Sequence, residues 1–420
     1  MTEITDVVGL LPSAWPASHF IDESEAEAVL QVVRSRSPSR FIGPSILGYA
    51  DKLEAWYAAY LGRARVLAVN SGSQALMLAL STIGIGPGDE VLVPGYSWAS
   101  CYNAIVRLGA IPRLVDVDES LTMDPSDLEA KIGAHTRAVL FAHMNGGCGH
   151  VREVSSLCRR HGLRLIEDVC QANGGRAGST PLGGFGDVAV FSFGMNKTLT
   201  SGEGGLLACD EAALWERAWL EHDQGYWSRR SVVGATASVR SSWGVGGHMS
   251  ELTAAMALVQ TTKLPRVVDA LRVNQRRLRA ALEGLPGLSC RPGTGTDDDI
   301  GTHLILLWPD DETCSRIVTC TNADGVRTAS GFGNHSLANT GLHLYFNNTS
   351  LDERIPTHTS GRPWSDPLNN FASSYHYGRG ALPRLDALAG RTQLIYISPV
   401  WREEEIARIA GAFHRSASSR

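Results

Sequence analysis

Short apolar runs alternate with longer amphipathic segments along the first half of the chain. Between about residues 64 and 210, the apolar runs are rich in valine, leucine and isoleucine, and the segments between them have helical spacing. Such alternation is typical of an α/β fold, in which helices cover both faces of a mostly parallel sheet. The seven predicted strands are RVLAV, EVLVP, PRLVDV, RAVLFAH, LRLIED, VAVFSF and GLLAC.

The pattern changes after residue 210. A long helical region that begins at MSEL is predicted to be interrupted at Pro265, and short strands mixed with polar loops follow from about residue 287. This predicts a second, smaller C-terminal α+β domain. The expected units are an N-terminal arm and helix (1–50), a large α/β domain (51–250), linking helices (251–286) and the small domain (287–420).

The stretch from Ser330 to Gly380 combines glycine, asparagine, histidine and aromatic residues. It is too long for a plain connector, and ordered loops of this length often serve as lids or binding surfaces. A solvated loop without a special role explains the composition equally well. The histidines and aromatics include His335, His343, Tyr345, Trp364, Tyr375, His376 and Tyr377.

Composition and charge limit the kinds of molecule that the protein is expected to bind and the compartment in which it is expected to lie. The net charge is -5 and no dense run of lysine and arginine occurs, which argues against nucleic acid. The N-terminus does not resemble an export signal, and no run of about 18 apolar residues predicts a membrane span. The eight cysteines include no CxxC pair and predict neither a metal site nor a disulfide framework. We therefore expect a cytoplasmic protein whose thiols are mostly small buried residues.

Candidate chemistry begins where the first predicted strand ends. Ser71, Gly72 and Ser73 lead directly into an apolar helix. The N-terminal amides of a helix can bind a phosphate, and glycine lets the anion approach the backbone. A plain serine N-cap explains the same residues, and on this motif alone it is the better interpretation.

Two further strand ends carry ionisable groups. Glu167 and Asp168 end LRLIED, where a carboxylate can face a cationic partner such as a protonated ring nitrogen, or can simply cap a helix. Lys197 lies between an apolar run and the glycines of SGEGG. A partly desolvated lysine can form a Schiff base with an aldehyde, although most lysines are surface residues. Together, a phosphate seat, a pyridinium partner and a condensing amine predict a pyridoxal 5'-phosphate (PLP) site.

Several motifs, taken in order, resemble the DegT/DnrJ/EryC1/StrS family of sugar aminotransferases, which have PLP fold type I. The resemblance is clear over about residues 15 to 290. It rests on NSGSQAL, VPGYSWAS, EDVCQANGG, FSFGMNKTLTSGEGG and HMSELTAAMALVQ. It implies a seven-stranded, mostly parallel sheet and a homodimer that needs a small-molecule amino donor and a keto acceptor.

The resemblance also implies roles for particular residues. Lys197 matches the lysine that forms the Schiff base and moves the proton, and Asp168 matches the partner of the pyridine nitrogen. Gln171 matches a residue at the cofactor ring. The residues that match the family's phosphate-binding positions are Gly72, Ser73, Gln74 and Ser192. Trp98 matches the aromatic residue that is stacked on the cofactor.

Two departures from the family pattern bear on the site. The chain reads GVGGHMSEL, with Gly246 and His248 where relatives carry an asparagine and an arginine. In relatives that asparagine reaches the partner subunit's cofactor phosphate, so this contact is not expected from Gly246. The segment HMNGG, residues 143–147, resembles the subgroup acting on cyclitols as much as that acting on nucleotide sugars.

The expected function is transfer of an amino group from glutamate or glutamine to a keto sugar or keto cyclitol. Another PLP-dependent reaction on an amino acid and a non-catalytic PLP-binding regulator stay open as alternatives. Relatives that dehydrate sugars carry histidine in place of the lysine, so Lys197 argues against that branch. A nicotinamide enzyme is disfavoured because no GxGxxG motif follows the first strand.

Overall fold

The large sheet has seven strands, as predicted. The structure is a computed structural model that describes residues 10–225, 239, 241–328 and 333–418. In chain order the strands are β1 (Arg65–Val69), β2 (Glu90–Pro94), β3 (Ile111–Val115), β4 (Thr136–Ala142), β5 (Arg164–Asp168), β6 (Arg176–Ala177), β7 (Thr180–Pro181), β8 (Val188–Ser192), β9 (Gly205–Cys209), β10 (Ser289–Cys290), β11 (His303–Leu307), β12 (Asn334–Ser336) and β13 (Thr392–Tyr396). The order in the large sheet is β1-β9-β8-β5-β4-β2-β3, and only β9 runs antiparallel to its neighbours.

Helices cover both faces of this sheet because successive residues of its strands, which point to opposite faces, are apolar. In β1, Leu67 and Val69 pack into one core while Val66 and Ala68 pack into the other. The α-helices are α1 (Glu23–Ser35), α2 (Tyr49–Leu61), α3 (Gly72–Thr82), α4 (Ala99–Arg107), α5 (Pro125–Lys131), α6 (Val151–His161), α7 (Ala212–His222), α8 (Glu251–Ala281), α9 (Asp311–Ala323), α10 (Thr349–Asp352), α11 (Pro383–Arg391) and α12 (Glu403–Ser418).

Helix α8 runs through Pro265, so the predicted interruption there is wrong. Proline removes one backbone donor and crowds the preceding turn, which disfavours a helix interior. Tertiary packing outweighs this cost, because Leu264, Val267 and Val268 around the proline are buried against the rest of the protein. The chain therefore passes from the large sheet to the C-terminal region along one continuous helix.

The C-terminal region has its own antiparallel sheet, in the order β10-β11-β13-β12, with a separate apolar core that includes Trp308 and Phe413.

The glycine- and aromatic-rich stretch between β12 and α11 packs back onto the large sheet. The amide of Tyr345 donates to the carbonyl of Gly95 at 2.9 Å, and Ser97 N donates to His343 O at 2.9 Å. This stretch is therefore an ordered part of the structure beside the end of β2.

The described part of the chain contains no helix that is long and apolar enough to cross a membrane. Within the same residues, no group of three or more histidine, cysteine, aspartate or glutamate side chains is placed to hold a metal ion.

Gly205 is required by close backbone packing at the start of β9. A Cβ there would lie 2.5 Å from the carbonyl carbon of Ser71 and 2.7 Å from the amide nitrogen of Gly72. We expect Gly205→Ala to lower the free energy of unfolding by about 1–3 kcal/mol, because a clash with backbone cannot be relieved by a rotamer change. Denaturant unfolding measures this loss. Gly86→Ala is the control, since nothing lies within 4 Å of its Cβ position, and equal losses in both variants would contradict the prediction.

Candidate active site

A cavity of about 490 Å³ opens at the carboxyl ends of the central strands. This is where open α/β sheets bind their ligands. Seven of the eight predicted site residues line it, namely Gly72, Ser73, Trp98, Asp168, Gln171, Ser192 and Lys197. Gln74 lies outside the lining, and its side chain packs against Gly247, whose Cβ position is 3.0 Å from Gln74 Cγ.

The first residues of α3 line one end of the cavity. The hydroxyl of Ser71 accepts a hydrogen bond from the amide of Gln74 at 3.1 Å, so the predicted serine cap is present. Gly72 faces the cavity beside Ser192, and a Cβ on Gly72 would lie 2.8 Å from Ser192 Cβ. The Ser73 and Ser100 hydroxyls are 2.7 Å apart. The helix thus has both a cap and an open, hydroxyl-lined N-terminus that suits a phosphate.

The adjacent carboxylates of β5 point to opposite faces of the sheet. Glu167 is fully buried and accepts hydrogen bonds from His143 Nε2 at 3.0 Å and from the Gly183 and Phe185 amides at 2.6 and 2.9 Å. Burial acts to raise the pKa of Glu167, but these donors prevail and hold that pKa below its ordinary value. Glu167 is therefore a structural residue.

Asp168 is the carboxylate that faces the cavity. Its side chain accepts hydrogen bonds from Cys170 N at 2.9 Å and from Cys101 Sγ at 3.2 Å, and only 6% of the residue is exposed. The backbone carbonyl of Asp168 accepts from the amide of His143 at 3.0 Å. A carboxylate held in this way is pre-oriented toward a cationic partner in the cavity.

Lys197 lies in the turn that follows β8. Its amide donates to the carbonyl of Gly194 at 3.0 Å, and the amide of Ser201 closes the same loop onto Phe193 O at 3.0 Å. The lysine is half-buried and lines the cavity together with Asp168. The turn thus directs the amine to the same cavity as the carboxylate and the start of α3.

A group of residues that sequence analysis did not identify supports Gln171. The Gln171 side-chain oxygen accepts from the amide of Asn145 at 3.1 Å, and the Tyr96 hydroxyl donates to Asn145 Oδ1 at 2.5 Å. Asn145 has φ of 55°, a left-handed conformation that asparagine tolerates better than most residues. Arg291 fixes this turn by donating to Met144 O at 3.1 Å. The HMNGG motif identified this segment in the sequence. No local sequence pattern indicates that Tyr96 and Arg291, which are distant in the chain, contact it.

Gly246 and His248 do not line the cavity. They lie behind the start of α3, where the phosphate is predicted to bind. The carbonyl of Gly247 accepts from the amide of Asn70 at 2.9 Å, and Gly246 N donates to Asp223 O at 2.9 Å. His248 Nε2 lies 3.0 Å from Asp223 Oδ1. In this chain the segment that contains Gly246 and His248 therefore holds the end of β1 in position.

The C-terminal region supplies the opposite wall of the cavity, which sequence analysis did not locate. His343 donates from Nδ1 to the carbonyl of Thr340 at 2.7 Å, and its ring centroid lies 4.9 Å from that of Trp98. The lining residues of this wall are Thr302, His303, Thr340, Leu342, His343 and Tyr396. Part of the Ser330–Gly380 stretch thus belongs to the cavity lining, through Thr340, Leu342 and His343.

Three histidines of the C-terminal region have lowered pKa values, namely His303 and His343 in the cavity wall and His335 in β12. Burial lowers the pKa of His343 and lowers that of His303 well below its ordinary value. Burial and the neighbouring His343 lower the pKa of His335 to about 4. Such imidazoles exchange hydrogen bonds with uncharged hydroxyls without attracting anions.

The cavity and the sheet that carries it define a class of protein, the PLP fold type I aminotransferases. The sequence pattern of the DegT/DnrJ/EryC1/StrS aminotransferase family matches residues 19–353, and the chain belongs to this family. The fold class and family predicted from sequence are confirmed, and the protein is an aminotransferase.

Individual relatives agree with this assignment. GDP-perosamine synthase of Vibrio cholerae is 33% identical over 260 residues, which is 62% of this chain and 69% of the relative. The L-glutamine:2-deoxy-scyllo-inosose aminotransferase of Streptoalloteichus tenebrarius is 36% identical over 57% of this chain and 58% of its own length. The solved structure of S. venezuelae DesV with a ketimine intermediate superposes with a TM-score of 0.75 at 26% identity, over 97% of this chain and 98% of DesV.

The neutral histidines make stability depend on pH. Because the folded-state pKa of His335 is about 4 and its ordinary value is 6.5, the unfolded chain binds the proton more readily, and stability falls as pH drops from about 6.5 to about 4. We expect this group to contribute up to about 3 kcal/mol of that loss.

His335→Gln should therefore flatten the dependence of unfolding free energy on pH in this range, as measured by urea unfolding at a series of pH values. His358→Gln, at an exposed histidine, serves as the control and should keep the wild-type slope. A slope for His335→Gln equal to that of the control would contradict the assignment.

Proposed function

We propose that the cavity binds PLP and transfers an amino group from glutamate or glutamine to a keto group of a sugar or cyclitol. The observation that carries this proposal is the convergence of Lys197, Asp168 and the N-terminus of α3 on one cavity. When bound, PLP supplies an aldehyde that an amine can attack and a ring that accepts electrons from the substrate carbon. Relatives named for sugar and cyclitol substrates support the substrate class.

The protein side of the reaction is divided among few groups. The amine of Lys197 would hold the cofactor between turnovers and would carry the proton at the substrate carbon. Asp168 would pair with the ring nitrogen, and Gly72, Ser73 and Ser192 would hold the phosphate. Trp98, at the start of α4, and Gln171 would contact the ring.

Three broader proposals accompany this function. Exposed apolar side chains at the cavity, Trp98 (42% exposed), Met195 (39%) and Leu342 (48%), support a homodimer that covers the cavity mouth. All eight cysteines are free, which supports a reducing, cytoplasmic compartment. The separate antiparallel sheet, whose first strand is Ser289–Cys290, supports a small domain that begins near residue 287.

Lys197→Ala tests the proposed amine directly. We expect the variant to lose the visible absorbance that wild-type protein acquires with PLP, and to lose turnover by at least about a hundredfold, because a placed proton carrier is removed. Borohydride reduction followed by peptide mass analysis should place the adduct on Lys197 in the wild type. Lys52→Ala, at an exposed position on α2, is the control. An adduct elsewhere, or retained turnover, would refute the proposal.

Asp168→Asn tests the ring-nitrogen partner. The amide is isosteric but cannot stabilise a pyridinium by charge, so we expect PLP to bind while the donor half-reaction slows by about tenfold or more. Stopped-flow absorbance after addition of glutamate or glutamine measures this step. Asp269→Asn, on the exposed side of α8, should react at the wild-type rate. An unchanged rate for Asp168→Asn would show that the carboxylate has another role.

A further inference from the structure

A buried thiol lies directly behind the cavity carboxylate. Cys101 is fully buried, and its Sγ lies 3.2 Å from Asp168 Oδ2, within hydrogen-bonding distance for sulfur. Cys101 does not line the cavity, whereas Asp168 does. The thiol therefore contacts the carboxylate from outside the cavity lining.

The thiol is the donor in this contact. Burial raises the pKa of Cys101 well above its ordinary value, and the Asp168 carboxylate acts in the same direction. A protonated thiol has one S–H to give, and a carboxylate only accepts. The hydrogen bond thus runs from Cys101 to Asp168.

The position of Cys101 is fixed by the first turn of α4. Its amide donates to the carbonyl of Trp98 at 2.9 Å. Trp98 precedes α4 and lines the cavity. The same turn therefore places an aromatic ring in the cavity and a donor behind its carboxylate.

The donors to Asp168 leave acceptor capacity for a ligand. Oδ1 accepts from the amide of Cys170 at 2.9 Å, and Oδ2 accepts from the thiol. Each carboxylate oxygen has a further lone pair available. These two donors hold the carboxylate in one orientation at the cavity.

We propose that Cys101 is a positioning residue that holds the Asp168 carboxylate in the orientation needed to pair with a protonated ring nitrogen. This inference rests on the proposed PLP function. It gives the thiol a role beyond filling space, which was the expectation for the cysteines from sequence.

The test compares substitutions that keep or remove the donor. Cys101→Ser keeps a hydrogen-bond donor of similar size, Cys101→Ala removes the donor and leaves a smaller side chain, and Cys101→Val removes the donor with a slightly larger one. Cys209→Ala is the matched control, because Cys209 is also fully buried, in β9, and its thiol has no carboxylate partner among the described residues. All proteins are loaded with PLP labelled with ¹⁵N in its ring.

The main measurement is the ¹⁵N resonance of the ring nitrogen, which reports its protonation and does not depend on turnover. We expect Cys101→Val and Cys101→Ala to shift this resonance toward the unprotonated form, and to slow the donor half-reaction by about tenfold, the effect of one lost hydrogen bond to a charged group. Cys101→Ser should retain the wild-type resonance and a rate within about threefold of wild type. Cys209→Ala should lose only stability.

The outcomes separate this inference from the proposed function. If wild-type protein forms the adduct on Lys197 but the ring resonance is the same in Cys101→Val, Cys101→Ser and wild type, Cys101 only fills space and the inference is overturned. Should Cys101→Ala fail to fold, the comparison of serine with valine decides the question. If the wild type binds no PLP, the proposed function itself fails.

Discussion

The parallel pairing of β4, β5 and β8 is the constraint on which the site depends. Asp168 pairs with Ala142 of β4 and with Val190 of β8, so all three strands end at the same edge of the sheet. The turn after β8 then needs only a few residues to bring Lys197 to the cavity that Asp168 faces. A carboxylate and an amine almost thirty positions apart in sequence thus lie in one cavity because of backbone register.

Strand alternation gives two neighbouring carboxylates different environments. Glu167 points into a closed set of backbone amides and His143, where its charge is fully satisfied. Asp168 points to the cavity and keeps acceptor capacity for a ligand. The period of two along a strand therefore places one carboxylate in a buried hydrogen-bond network and the next one at the cavity.

The two ends of the cavity differ in charge character. The sheet side carries ionisable groups, Lys197 and Asp168, whereas the C-terminal side presents neutral histidines such as His343. Burial is the main cause of the lowered pKa of His343, and the nearby Lys197 acts in the same direction. The arrangement suits a substrate with reactive chemistry at one end and uncharged hydroxyls at the other.

The sequence by itself determined the α/β class, the strands and the residues at their polar ends, because these depend on local periodicity and on short motifs. It could not show that α8 continues through Pro265, that Glu167 is held by His143 and buried amides, or that Gln74 lies outside the cavity lining. Nor could it place His343 opposite Lys197 or Cys101 behind Asp168. Those features depend on contacts between residues distant in the chain, and only tertiary packing brings such residues together.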